Sequence, residues 1–477
     1  MEALPDELLG LILENSDFAS QKRIRLVSKR CERVASEFVF RDIYMILLPE
    51  YLKKWQNIAN SRLAGHVKTC TIYIDAFWPH DLHDHITHVE ALRWDGWLSQ
   101  KTFSKEEEEE DPYFVRREKD FHASEFFLSK EDMQSTYDRV IHLCEQYQSW
   151  QPLRESALLS SALTSFSNLQ DISLMNTGYN RNSDVALMPI WRDLREQTYL
   201  SPQDFCNLAW VTATRQSEEA KTIRSHSEDT DRGVMAAVLS AMARRGQDRH
   251  NAPLMRLNGL RYCDTKLWRR MLKELDPDWS DENWSQLLAA FDQLTVLGVC
   301  SNPRNFGPGF DQSQLELFET ARHAGQARQI SIECENGRFS WEDEAQSSSL
   351  FAKQAPPLWP HIERLSLGSV FIPSDTLLSF LARHAETLTD LQLTGVTVGN
   401  VPEFLSKLPE LLALKFVRVE SLIHHGSGLP PFALDRDSDA SFSTKLIDYL
   451  LRKRQEMPDF TTRPLLNAII CESNTMR

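Results

Sequence analysis

Residues 386–396 read ETLTDLQLTGV. Leu388, Leu391 and Leu393 stand in the spacing apolar-x-x-apolar-x-apolar, with Thr389, Asp390 and Gln392 between them. The last two apolar positions alternate, so on an extended chain they share one face, while the first anchors the turn into the strand. Immediately before it, SDTLLSFLARHAE (Ser374 to Glu386) carries apolar residues at helical spacing. The stretch predicts a helix followed by a short strand buried on one side. For the fold, what matters is whether this unit recurs.

The same triplet appears as Val67/Cys70/Ile72, Leu169/Ile172/Leu174, Leu257/Leu260/Tyr262 and Leu294/Leu297/Val299, then as Ala327/Ile330/Ile332, Ile362/Leu365/Leu367 and Leu411/Leu414/Phe416. The first anchors are separated by 102, 88, 37, 33, 35, 26 and 23 residues. A further short helix is predicted over Pro402 to Lys407. A strand and a helix every 20 to 30 residues or so resembles a leucine-rich-repeat solenoid. Only the last two steps fit that repeat, so the earlier gaps imply insertions or unrecognised repeats. Thr394 lies near the place where the family's Asn would be sought. The alternative is an ordinary α/β domain, because such triplets also arise by chance in a chain rich in Leu and Ile.

Four segments read as excursions from the repeating region. Ser99 to Asp120 carries five consecutive Glu and Asp111, a solvated pattern. Ala213 to Gly233 is polar throughout, Cys334 to Pro357 is rich in Ser and acids, and the stretch after Val419 is broken by Gly and Pro. A last helix is predicted over Thr444 to Gln455. Arg452-Lys453-Arg454 reads as its basic end, favoured by the negative pole of the dipole.

The 477 residues suffice for two or three domains or for one domain with an extended array. Fifty-three basic against 68 acidic residues give a formal charge of −15. Phosphate contacts need clustered Lys and Arg, so this balance argues against nucleic acid and against an anionic membrane, leaving proteins as the expected partners. Eight cysteines include no Cys-x-x-Cys pair, which reads as reduced, mostly buried thiols. No signal peptide is visible and no window reaches about 18 apolar residues, so a cytosolic or nuclear location is expected.

Residues 1–44, MEALPDELLGLILENSDFASQKRIRLVSKRCERVASEFVFRDIY, read as three short helices. Pro5 suits a first turn, and Asp6 and Glu7 suit the positive end of the dipole. Leu8, Leu11 and Ile12 recur at helical spacing with Leu4 and Leu9 flanking. Asn15-Ser16-Asp17 breaks the first helix, a second carries Ile24 and Leu26, and Ser28 reads as the N-cap of a third. In that third helix Cys31, Val34, Ala35 and Phe38 follow i, i+3, i+4, i+7. So small a unit leans on a partner.

The motif Leu4-Pro5-x-Glu7-Leu8-Leu9-x-x-Ile12, a polar gap, Leu26-Val27-Ser28-Lys29-Arg30, and Ala35-Ser36 before Phe40-Arg41 resembles an F-box. The resemblance implies docking onto the Skp adaptor of a cullin-based ubiquitin ligase. Carried over by position, Leu4, Pro5, Leu8, Ile12, Leu26 and Val27 supply apolar contacts to the adaptor, with Lys29 and Arg30 at the edge. Ser16, Gln21 and Cys31 depart from the family pattern, standing where Leu, another apolar residue and an aromatic are usual. An unrelated helical subdomain is the alternative. An F-box followed by irregular leucine-rich repeats also resembles a class of fungal F-box proteins.

Motifs of catalysis are sparse. His80, His83, His85 and His88, with Asp81 and Asp84, cluster within nine residues, and on a helix His80, Asp84 and His88 would share a face. Zinc accepts i, i+4 His pairs, but no HExxH or Cys-x-x-Cys accompanies them, so a polar surface segment is the simpler reading. Gly426-Ser427-Gly428 lacks nucleophile-elbow spacing, and there is no GxxxxGK[ST] or GxGxxG. Twelve Trp, among them Trp78, Trp94, Trp97, Trp268, Trp279, Trp284 and Trp341, suggest either binding hot spots or buried packing.

The expected architecture is α/β: a three-helix F-box over 1–45, an irregular leucine-rich-repeat-like solenoid over 46–425, and a C-terminal helical segment over 426–477. The expected function is a non-catalytic substrate receptor of an SCF-type ligase. It would bind the Skp adaptor, through it a cullin, and an unidentified target protein, without cofactor or metal. Two alternatives stay open. One is an F-box scaffold without a role in ubiquitin transfer. The other is an enzyme with its site between residues 100 and 290.

Overall fold

The computed structural model describes residues 4–74, 130–175, 218–247, 251–260, 265–301, 323–334, 359–368, 370, 372–420, 422–424, 440–453 and 455. Three short helices come first: α1 (Asp6–Glu14), α2 (Phe18–Arg25) and α3 (Lys29–Val39). Asp17 caps α2 by accepting the Ser20 N–H at 2.8 Å, and Ser28 caps α3 by accepting the Cys31 N–H at 3.2 Å. Leu9, Leu13, Cys31 and Ala35 form a small core of their own, with Ile24, Val34 and Phe38 packed on it.

From α3 the chain passes directly into β1 (Asp42–Ile46), the edge of a nine-stranded sheet. The following strands are β2 (Thr69–Tyr73), β3 (Asp171–Met175), β4 (Arg256–Leu260), β5 (Val296–Ser301), β6 (Gln329–Cys334), β7 (Arg364–Gly368), β8 (Asp390–Thr394) and β10 (Phe416–Glu420). All neighbours pair in parallel, and spatial order follows chain order from β1 to β10. Two-residue strands β9 (Thr397–Val398) and β11 (Ile423–His424) make a separate parallel pair. Parallel neighbours need a long crossover, and the described ones are largely helical. Because the order never reverses among these strands, the sheet offers no topological switch point of the kind that binds nucleotides in doubly wound folds.

The junctions repeat. The carbonyl just before one strand accepts two successive N–H groups at the start of the next. Arg41 O accepts from Lys68 and Thr69, Thr295 O from Arg328 and Gln329, and Thr389 O from Lys415 and Phe416. In register across the sheet, Ile43, Cys70, Ile172, Leu257, Leu297, Ile330, Leu365, Leu391 and Val417 form one buried row. The adjacent row on the other face runs Tyr44, Thr71, Ser173, Asn258, Gly298, Ser331, Ser366, Gln392 and Arg418. Most of that row is small, polar and half-buried. An all-parallel sheet is normally covered on both faces by its crossovers; here the second face carries a polar and mostly half-buried row.

Five of the expected triplets enter strands in the predicted register, with anchors Val67, Leu169, Leu294, Ala327 and Ile362 buried, and Leu388 makes a sixth. Two are displaced. In β4 the anchor is Leu254 and the inward pair is Leu257 and Leu260, because a bulge at Gly259 shifts the register. At β10 Leu411 belongs to the preceding helix and Phe416 is exposed; the buried positions are Leu414 and Val417. β1, with Ile43 and Met45 buried, is a strand the triplet rule missed.

The helical layer packs on the buried face. It contains α4 (Pro49–Ala59), α5 (Lys130–Gln148), α6 (Pro152–Ser165), α7 (Glu218–Gln247), α8 (Thr265–Leu275), α9 (Asp281–Asp292), α10 (Ser374–Arg383) and α11 (Val401–Leu411). The expected polar excursion at Ala213 to Gly233 is corrected here: from Glu218 onward it is α7, 30 residues long, in which every residue from Val234 to Ala243 is buried. A polar sequence at its start disguised a helix that is buried continuously from Val234 to Ala243. The expected last helix is α12 (Ala440–Leu450). Arg452, with φ 58°, therefore lies beyond its end and not on its last turn.

His384 caps α10 and is buried against the Phe380 ring, centroids 4.7 Å apart. Burial, helped by the Arg383 charge, holds its imidazole down at about 4 against an ordinary 6.5. A depressed His pKa means that the unfolded chain takes up a proton first, so stability falls as pH drops from about 6.5 toward 4. Thermal melts across that window should therefore show a steeper loss for the wild type than for His384→Phe.

Candidate functional site

The first helix divides its apolar residues between two faces. Leu9 and Leu13 turn inward to Cys31 and Ala35. Leu8, Leu11 and Ile12, at i, i+3 and i+4, form a stripe on the opposite face and are exposed, Leu11 at 55%. A second apolar pair sits on the turn between α2 and α3, where Leu26 is 80% exposed beside the exposed Val27. Five of the nine large apolar side chains exposed among the described residues thus fall between Leu8 and Val27. Single exposed leucines are ordinary, but a concentration like this marks a contact surface.

Of the residues assigned from sequence to the adaptor contact, Pro5, Leu8, Ile12, Leu26, Val27 and Lys29 are exposed, and Leu4 is half-buried. Pro5 is the residue just before α1 rather than within its first turn. Arg30 is half-buried and paired within the domain. Its Nε donates to Asp6 Oδ1 at 2.7 Å and another nitrogen donates to Leu4 O, while Arg33 Nη2 meets Asp6 Oδ2 at 2.6 Å. These contacts clamp the start of α1 onto α3, and the Arg30 guanidinium holds the Asp6 carboxyl below its ordinary range. The F-box motif leaves the place of Leu11 open, and only its helical spacing from Leu8 marks it as part of the stripe.

The three departures from the family pattern have local explanations. The last carbonyls of α1 have no intrahelical partner. Asn15 Nδ2 donates to Leu11 O at 2.8 Å, Ser16 Oγ to Ile12 O at 2.6 Å, and Gln21 Nε2 to Leu13 O at 2.9 Å and Ser16 O at 3.2 Å. Polar residues at 16 and 21 therefore satisfy a helix end, and Cys31 fills the small core at 1% exposure.

A family model for the F-box domain matches residues 1–42. The chain thus carries an F-box domain, and this implies binding to a Skp-type adaptor. Its end coincides with the passage from α3 into β1. No curated protein matches the chain.

The remaining candidates are less organised. The histidines from His80 to His88, the five-Glu run, Gly426 to Gly428 and Trp78, Trp94, Trp97 and Trp341 lie outside the described residues. Among the described residues no group of His, Cys, Asp and Glu has the arrangement of a metal site, and no helix is long and apolar enough to cross a membrane. Trp268, Trp279 and Trp284 are buried, so packing accounts for them better than an exposed hot spot. Burial also pushes the Cys144 thiol up to about 12 and the Cys70 thiol well above its ordinary value, which suits inert packing residues.

Proposed function

We propose that this chain is the target-binding receptor of an SCF-type cullin ubiquitin ligase, working in the cytoplasm or nucleus and contributing no catalytic residue itself. The observation that carries the reading is the exposed apolar set Leu8, Leu11, Ile12, Leu26 and Val27 on a domain whose own core cluster holds four buried residues. In this reading these side chains, with Leu4 and Pro5, enter the adaptor, and Lys29 lies at the rim. The sequential parallel sheet with repeated junctions supports an irregular leucine-rich-repeat-like solenoid. Its half-open row from Tyr44 to Arg418 is the surface we assign to the target protein.

Two sets of substitutions test this in the full chain. Leu8→Asp/Ile12→Asp and Leu26→Asp replace exposed side chains, so the melting temperature should stay near that of the wild type. Each should weaken co-purification with the Skp adaptor by about 30-fold or more, the loss expected when a central apolar anchor worth roughly 2 kcal/mol is removed. Folded wild type that fails to bind, or variants that bind equally, would remove the receptor reading. Adaptor binding without recruitment of a cullin would favour the scaffold alternative instead.

A further inference from the structure

Asn258 and Gly259 stand side by side in β4, the only Asn-Gly pair among the described residues. The peptide nitrogen that follows an Asn can attack its side-chain amide carbon, and Gly presents that nitrogen with no β-carbon in the way. A strand ordinarily prevents this, because its ladders hold the backbone extended and in register. Here both ladders let go. Pairing with β3 ends at Ser173 with Asn258, and pairing with β5 passes from Leu257 directly to Leu260, so Gly259 has no register partner on either side. Its φ of +74° also lies far from that of strand backbone.

The surroundings leave the reacting groups room. Asn258 is half-buried on the polar face of the sheet. Its neighbour on β5 is Gly298, where a β-carbon would stand 3.0 Å from Asn258 Oδ1 and 3.4 Å from the Gly259 nitrogen. The absent side chain therefore uncovers the amide oxygen and the attacking nitrogen from the same side. Toward β3, Asn258 Nδ2 donates to Ser173 Oγ at 3.4 Å, and Ser173 Oγ donates to Asp171 Oδ1 at 3.4 Å. Both bonds are long, so they restrain the amide weakly. They also place a hydroxyl beside Nδ2, the group that must leave.

We propose that Asn258 is a site of spontaneous deamidation through a succinimide. The Gly259 nitrogen gives up its proton and bonds to Asn258 Cγ. The bond from Cγ to Nδ2 breaks, and Nδ2 takes a proton and departs as ammonia. Water then opens the five-membered ring. Cleavage of the new bond to Cγ yields aspartate; cleavage of the original peptide bond yields isoaspartate, with the chain running through the side-chain carbons. One water is taken up and one ammonia released, with no oxidant and no enzyme. Either product puts a carboxylate beside Ser173, where Asp171 already stands. Isoaspartate also lengthens the backbone of β4 at its bulge and disturbs the register that resumes at Leu260.

The folded full chain and a blocked peptide of residues 254–260 are incubated side by side at pH 8. Digestion with mass spectrometry follows the conversion of Asn258, and enzymatic methylation detects isoaspartate. If only the unfolded fraction reacted, about 10⁻³ of the molecules or less, the chain would convert at least about a thousandfold more slowly than the peptide; conversion within about a hundredfold of it is expected. Isoaspartate should form alongside aspartate, and both should form more slowly at pH 6, where the attacking nitrogen loses its proton less readily. Asn258→Gln needs a six-membered ring and should give no product at this position over the same period. Conversion of the chain below the hundredfold limit, product without isoaspartate, or equal conversion of the Gln variant overturns the assignment.

Discussion

Replacing Arg245 by Met is expected to lower the stability of the sheet region by about 3–5 kcal/mol, the cost of removing one side of a buried charged network. Arg245 is 4% exposed near the end of α7. One guanidinium nitrogen donates to Phe166 O and reaches Leu163 O at 3.4 Å; the other donates to Leu169 O at 2.8 Å and Ala252 O at 3.0 Å, with Ser167 O at 3.5 Å. Those carbonyls come from the last turn of α6, the turn into β3 and the approach to β4. Carbonyls at a helix C-terminus have no internal donor and carry partial negative charge, so a cation there satisfies bonding and dipole together. Met retains most of the apolar volume but leaves several acceptors buried without a donor. Arg245→Lys keeps the charge on a single nitrogen without the planar fork, and should recover only part of the loss. Urea titrations followed in the tryptophan signal measure it, and a variant melting within a degree of wild type would mean that water replaces the guanidinium.

Arg245 also shows where sequence reading ran out. An arginine pair, Arg244-Arg245, at the polar end of a helix looks solvated, and Arg244 does make an exposed pair with Asp276 at 2.9 Å. Nothing in the spacing tells that the next residue points inward to carbonyls some 80 positions earlier in the chain. The same blindness applied to α7 as a whole, whose acidic and basic start reads as an excursion although the run from Val234 to Ala243 is buried. A helix enclosed by α6, α8 and α9 has no polar face there to show a period.

The repeated strands were more legible, because a strand buried on one face writes its own alternation. Six triplets fall in register, and the two that slipped did so for nameable reasons. At β10 the chain offers Leu408, Leu411, Leu412 and Leu414 in quick succession, so the triplet can be laid three residues early. The F-box was legible by motif, and the division of labour within it was not. Leu8 and Leu9 are adjacent and chemically alike, and only packing against Cys31 and Ala35 decides that Leu9 is core and Leu8 is surface. Arg30, placed by resemblance at the interface edge, is tied to Asp6 and Leu4 by an approach across 24 and 26 residues of sequence.

The other slip, at β4, leads to the second large effect: Gly259→Ala is expected to cost about 3 kcal/mol or more. Pairing of β4 with β5 runs in step at Leu257 with Leu297 and resumes at Leu260 with Val299, so one extra residue is absorbed on β4. That residue is Gly259, with φ +74°. A side chain in this left-handed region costs about 1–2 kcal/mol. A β-carbon there would also stand 1.9 Å from Leu174 O on the neighbouring strand, against backbone that cannot swing aside, adding the roughly 1–3 kcal/mol of an overpacked site. If the bulge instead relaxes, Leu260 loses its inward place and the register of β4 slips by one, which exposes its apolar face. Gly246→Ala is the matched control. Gly246 lies inside α7, and a β-carbon there meets nothing nearer than Gln286 O at 3.9 Å. That substitution should leave stability unchanged or raise it by about 0.5–1 kcal/mol, since Ala loses less freedom than Gly on entering a helix. Equal melting of the two variants would mean that the β4 bulge is not held by its glycine.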